Sequence, residues 1–141
     1  MLQLHKINRR CKDCGKTKLL IFFDKTHKRR QCLKCKKDQA VHRVNRSPKS
    51  YIRNLLVQLR YSRKKQGHKW DIGKKEIYQL YLDQEGKCAL SGVEMTHVRT
   101  HSEIGETNIS IDRIDPEGQY VISNIQLVCK RVNYMKHNKD Q

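Results

Sequence analysis

Several things are scarce in this chain, and each scarcity excludes something. Long apolar runs are missing. The longest in the first half is Leu19-Leu20-Ile21-Phe22-Phe23, far short of the ~20 apolar residues a membrane helix needs. The opening stretch, Met1-Leu2-Gln3-Leu4-His5-Lys6, carries no apolar segment of signal-peptide length, so the expected location is cytoplasmic. Apolar side chains make up only 36% of the 141 residues. Such a chain does not fill one large core; it calls for two small cores or a metal staple. Acidic residues are scarce in one half only. Residues 1–66 carry 21 Lys plus Arg against 3 Asp plus Glu, and residues 67–141 carry 10 against 11.

The formal net charge of +17 therefore sits in the first half. A polyanion is the natural partner for such a surface, because each phosphate contact releases counterions. An anionic membrane fits less well, since the basic residues interleave with paired cysteines instead of lining one amphipathic helix. The expectation is nucleic acid and no membrane.

Six cysteines are present: Cys11, Cys14, Cys32, Cys35, Cys88 and Cys129. The first four read C-x2-C-x17-C-x2-C, the spacing of two zinc knuckles. Four thiolates satisfy tetrahedral zinc and leave no open position, so the expected zinc is structural, one per chain. A disulfide pair and a redox Cys-x-x-Cys are the alternatives; neither an oxidising compartment nor a βαβ pattern supports them. Between the knuckles, Leu19–Phe23 with Gly15 and Asp24 as turn signals predicts a short hairpin.

Residues 36–50 read as a polar, basic connection. Ser47-Pro48 then reads as an N-cap with Pro at the first helical position. Ile52, Leu55, Leu56 and Leu59 recur at i, i+3, i+4 and i+7, predicting a helix over 48–65 that Gly67 ends. Arg53, Arg60, Arg63, Lys64 and Lys65 fill its other faces, either as a solvated surface or as a grip on a phosphate backbone. A second helix is predicted over 74–84, with Ile77, Leu80 and Tyr81 inward and Gly86 closing it. Trp70 and Ile72 are core candidates.

The last third has the pattern strand, turn, strand, helix. Lys87–Gly92 suggests a strand entering a turn, 96–107 a polar loop, and 108–112 an alternating strand. Pro116 and Gly118 mark a turn, Tyr120-Val121-Ile122 an extended run, and 131–136 a helix. A helix folded back on the hairpin brings Asp112 and Asn133 together. One carboxylate with an amide oxygen, phosphate and water suits magnesium, and in a basic protein that points to phosphodiester hydrolysis. The plainer reading makes Asp112 a turn residue and Asn133 a polar residue on a helix.

Asp112-Arg113-Ile114-Asp115, Gly118, Tyr120, Asn124-Ile125-Gln126-Leu127, Cys129 and Asn133-x-x-Lys136 together resemble the ββα-metal motif of HNH endonucleases. The resemblance covers residues 87–137. From Ser47 onward the chain is also similar to phage-encoded members, and with its knuckles to a small, zinc-containing, rare-cutting HNH restriction enzyme. It implies a small α+β protein with a zinc module (1–47), a helical DNA-contacting connector (48–86) and an HNH unit (87–141). It implies an endodeoxyribonuclease of restriction, homing or phage type acting on double-stranded DNA, with magnesium or manganese on Asp112 and Asn133. A single HNH site cuts one strand, so double-strand cutting implies a homodimer. Arg113 becomes a phosphate contact, Asn124 a residue pinning the turn, and Lys136 and Lys130 phosphate contacts.

Two departures from the family pattern matter. The family's general base is the His after the Asp, and here it is Arg113. By similarity to the rare-cutting relative, Tyr120 becomes the candidate base, with His97, His101 and His137 as fallbacks. His137 shares a helix face with Asn133, which makes it a candidate ligand or phosphate contact. Many relatives also hold a second tetracysteine zinc. Here the partner of Cys88 is Ser91 and that of Cys129 is Val132, so a second zinc is not expected and the two thiols should lie in a small core. The competing function is a non-catalytic zinc-containing nucleic-acid-binding protein with a decayed HNH unit.

Overall fold

The computed structural model describes residues 8–23, 30–101 and 103–137. The chain divides into two compact units, Met1–Arg43 and Val44–Gln141.

In the first unit, β1 (Asn8–Arg10) pairs antiparallel with β2 (Thr17–Leu19). The hairpin thus wraps the first knuckle instead of occupying Leu19–Phe23. Cys11 N–H bonds Lys16 O and Gly15 N–H bonds Cys11 O, so the knuckle itself makes the turn. Gly15 takes a left-handed φ of 67° there. Leu20–Phe22 form a 3-10 turn, and Phe23 bridges to Cys32. Asp24, read as a turn signal, lies outside the described residues. Residues 36–50 are not simply a connection. The second knuckle opens α1 (Leu33–Asn45), which runs through most of them. Its polarity hid it: none of its residues is buried, so no apolar stripe marks it. The unit's core is small, with Phe23 between Cys11 and Cys32.

The second unit opens with α2 (Pro48–Lys65). The Ser47 hydroxyl accepts the Ser50 N–H at 3.2 Å, and Pro48 stands where its missing N–H costs nothing. Arg63, Lys64 and Lys65 sit in the last turn, at the negative end of the helix dipole. Ile52 and Leu56 are buried, and Leu55 and Leu59 pack beside them. After the short β3 (Trp70–Asp71) comes α3 (Lys74–Asp83), where Glu76 reaches back to the Gly73 N–H at 2.6 Å. Lys87–Gly92 is a turn, not a strand. Cys88 N–H bonds Val93 O, Gly92 N–H bonds Cys88 O, and only Lys87 bridges to Glu94.

The strand β4 (Ile109–Arg113) pairs antiparallel with β6 (Ile125–Cys129), and α4 (Lys130–His137) follows directly. Between them β5 (Tyr120–Val121) does not join this hairpin. It pairs in parallel with β3, Trp70 opposite Tyr120. Ile122, expected in the extended run, turns into a 3-10 segment with Ser123 and Asn124. One apolar core joins Tyr51, Ile52 and Leu56 of α2, Ile77 of α3, and Ile109, Ile111, Leu127 and Val128 of the hairpin. Residues 48–86 therefore share their core with the segment that follows. No helix among the described residues is long and apolar enough to cross a membrane.

Candidate functional site

Among the described residues, two clusters of side chains are candidates for chemistry. The first is the four knuckle cysteines, whose sulfurs all lie within 4.8 Å of one another. Cys32 N–H points at Cys11 Sγ (3.3 Å), and Lys18 Nζ at Cys32 Sγ (3.3 Å). Backbone N–H groups of Cys14 and Cys32 bring the Cys11 thiol down from 9.0 to about 6. Its neighbour Cys35 is pushed up to about 12, first by its contact with Cys32 and then by burial. So the fold favours some thiolates, and their crowding opposes the rest until a cation is present. The spacing, the tight cluster and the sulfur donors together fit a zinc ion.

The second cluster lies where α4 crosses β4. Side chains alternate along a strand, so Ile109 and Ile111 face the core while Ser110 and Asp112 face the other way. Asn133 and Lys136, three apart, share one face of α4. Asn133 Nδ2 donates to Ser110 Oγ (2.8 Å) and Ile111 O (3.2 Å). Lys136 Nζ donates to Asp112 Oδ2 (2.9 Å) and to the carbonyls of Arg113 and Ile114. Gln126, opposite Asp112 in the register, also donates to Oδ2 at 2.7 Å.

Asp112 is 1% exposed. Its second oxygen, Oδ1, is buried with no hydrogen-bond partner, and so is Asn133 Oδ1. Unpaired buried oxygens are costly and call for a ligand, water or ion. Each residue leaves one such oxygen unpaired, and that of Asp112 is anionic. Asp112 and Asn133 are thus brought to the same strand–helix contact.

The other nominated residues are placed as follows. Arg113 donates to Gly118 O at 2.8 Å, and its guanidinium lies 4.9 Å from the Tyr120 ring centre. Tyr120 is buried. Trp70 stacks on it at 5.0 Å, the His68 ring meets it edge-on at 5.7 Å, and Arg63 lies 5.7 Å from its centre. These contacts are all made by its ring. Asn124 does pin the turn: it accepts from Asp115 N–H and donates to Asp115 O and Gln119 O. It passes so close to Gly118 that a Cβ there would collide with its amide. Lys136 is engaged with Asp112 instead of standing free for a phosphate, while Lys130 is exposed. His137 is exposed at the end of α4, His101 is exposed and His97 half-buried.

Cys88 and Cys129 are buried free thiols. Cys129 N–H donates to Cys88 Sγ at 3.3 Å. Burial pushes the Cys88 thiol up, but Ser91 and nearby N–H groups outweigh it and its pKa lies below the usual value. Burial and the neighbouring Cys88 raise Cys129. Val132 packs against the core.

Sequence reasoning missed Gln126, Ser110 and the Trp70–His68–Arg63 setting of Tyr120. Gln126 had a signal, since pairing ISIDR with IQLVC end to end puts it opposite Asp112. The β3–β5 pairing had none, because it joins segments about fifty residues apart. Compared with known proteins, the chain matches no family model, no curated protein and no solved structure.

Proposed function

We propose that the protein is a metal-dependent DNA endonuclease of the HNH class, with a structural zinc in its N-terminal unit. The observation that carries this reading is the pair of buried, unpaired oxygens, Asp112 Oδ1 and Asn133 Oδ1, at the contact of a β-hairpin with the helix that follows it. In this reading β4, β6 and α4 are the ββα-metal unit. Asp112 and Asn133 would hold magnesium or manganese, which supplies Lewis-acid polarisation of the scissile phosphate. Gln126 and Lys136 hold the Asp112 carboxylate in one orientation. Arg113, braced on Gly118 O and the Tyr120 ring, steadies charge developing on the phosphate. Proton removal from the attacking water falls to Tyr120 or to a histidine, since Arg113 fills the usual base position. The basic residues of the first half supply grip on double-stranded DNA, and two copies are needed for a double-strand cut.

The test is nicking of supercoiled plasmid by purified protein with and without magnesium or manganese, beside Asp112→Ala. Metal-dependent nicking that this substitution removes supports the proposal; its absence in the unaltered protein sinks it. A second reading, a non-catalytic zinc-containing nucleic-acid-binding protein, is favoured by Arg113 at the base position and by the ammonium of Lys136 on the Asp112 carboxylate. It predicts tight DNA binding and no nicking.

A further inference from the structure

We infer that the groove between α2 and the β3–α3 segment seats an unpaired nucleotide of the strand held at the Asp112 site. The base lies flat on the groove's apolar, aromatic surface and its phosphates lie on the basic rim. This deepens the nuclease reading and rests on it for the identity of the strand.

The groove encloses about 840 Å3, lies wholly within the second unit, and has Leu56, Ile72 and Trp70 among its lining. That is the size range of sites for small molecules. Tyr61, on its wall, is 78% exposed, and Val57 beside it 55%. Both leave apolar surface in water beside a ready-made concavity. Arg60, Lys64, Lys74 and Lys75 supply four cations around it. The single acid among the lining residues, Glu76, is already held by the Gly73 N–H at 2.6 Å.

Aromatic surface set among cations is the recognition chemistry of single-stranded nucleic acid, because every base has a π-face and a phosphate on either side. An acidic, apolar peptide matches the charge as well. Continuity with the Asp112 site decides for the nucleotide. Trp70 lines the groove and stacks on Tyr120, Tyr120 carries the Arg113 guanidinium on its ring, and Arg113 follows Asp112 in β4. A strand that follows this path of contacts from β4 brings a nucleotide to the groove. The base must be unpaired, since in an intact duplex both its faces are covered by the stack.

Trp70 is the chain's single tryptophan, so its fluorescence reports on the groove wall and its stack on Tyr120, and the Tyr61 variants separate the two. The test uses the full-length, zinc-loaded protein without added magnesium. It takes two DNA probes of one sequence: an intact duplex and the same duplex with a three-nucleotide single-stranded gap. The gapped probe should quench Trp70. Tyr61→Ala should weaken its binding about tenfold, the scale of one lost stack, and leave the intact duplex within about twofold; Tyr61→Phe should behave like the unaltered protein. Equal weakening on both probes, or an unquenched Trp70, overturns the inference. So does quenching by a Glu-, Leu- and Phe-containing peptide at lower concentration than gapped DNA. Asp112-dependent nicking with an unquenched Trp70 removes this inference alone. Tyr61-sensitive quenching without any nicking supports the groove and removes the nuclease.

Discussion

Lys136 Nζ sits 2.9 Å from Asp112 Oδ2, and Asp112 Oδ1 is the oxygen left without a partner. The ammonium answers that buried charge, and in the proposed function a divalent ion would answer it too. Lys136→Met should leave that charge uncompensated and lower stability by about 3 kcal/mol. Magnesium should recover more of that loss than it adds to the unaltered protein, because an ion that binds only the folded state stabilises it. Thermal unfolding with and without magnesium reads both effects. No magnesium shift in either protein would show that no ion binds Asp112, and an equal shift in both would separate the ion from the Lys136–Asp112 pair.

Asp112→Ala should reduce cleavage by at least about a thousandfold, the scale of several kcal/mol of transition-state stabilisation. DNA affinity should change little, since the basic residues lie elsewhere. Asn133→Ala should act in the same direction and less completely, because a neutral amide is the weaker ligand. It also removes the bonds to Ser110 and Ile111, so circular dichroism must accompany the rate measurement. A cleaving Asp112→Ala protein removes the metal site.

Tyr120→Phe keeps the ring between Trp70 and Arg113, so unfolding should be little changed. If the hydroxyl relays the proton, the single-turnover rate falls about 100-fold. A normal rate excludes it, and His68, whose ring meets Tyr120 edge-on, joins His97, His101 and His137 as the next residues to replace. Tyr120→Ala should instead cost about 3–5 kcal/mol, as large buried rings do.

Zinc should be bound one per chain and lost in acid. The Cys11 thiol is lowered from 9.0 to about 6 in the folded module. A depressed pKa contributes stability that is present above the unfolded value and is lost as pH falls through the folded one. The window therefore runs from about 9 down to about 6. That window applies to the metal-free module; bound zinc competes with protons for the thiolates, so release to a chromogenic chelator should rise only at lower, acidic pH. Cys11→Ser or Cys32→Ser should release the ion and unfold the first unit, because the binding energy of structural zinc is folding energy. Zinc-free protein that is folded throughout contradicts this.

How much was legible depended on where the signal was local. The α2 helix was readable to the residue because its cap, its proline and its apolar stripe are all contiguous in sequence. Strand alternation and helix spacing brought Asp112 and Asn133 to one strand–helix contact but left the plainer reading of each open, and the resemblance to HNH endonucleases is what made them candidates. The α1 helix was not readable, since a solvated helix beside a zinc knuckle has no stripe to read. Nor was the setting of Tyr120. Its partners Trp70, His68 and Arg63 come from a parallel pairing that no turn or short spacing announces.

The turn from Ile114 to Gln119 is tied at three backbone groups by one amide, that of Asn124, and at a fourth by Arg113. Its length is therefore a fixed gauge. One added residue would move Gly118 away from both side chains at once and unseat Arg113 from its carbonyl. The Gly92 turn differs, for nothing lies within 4 Å of where its Cβ would be. Gly92 has room but takes a φ of 69° and so must stay glycine; a fluorophore or affinity tag belongs beside it, and 114–119 is closed to insertion.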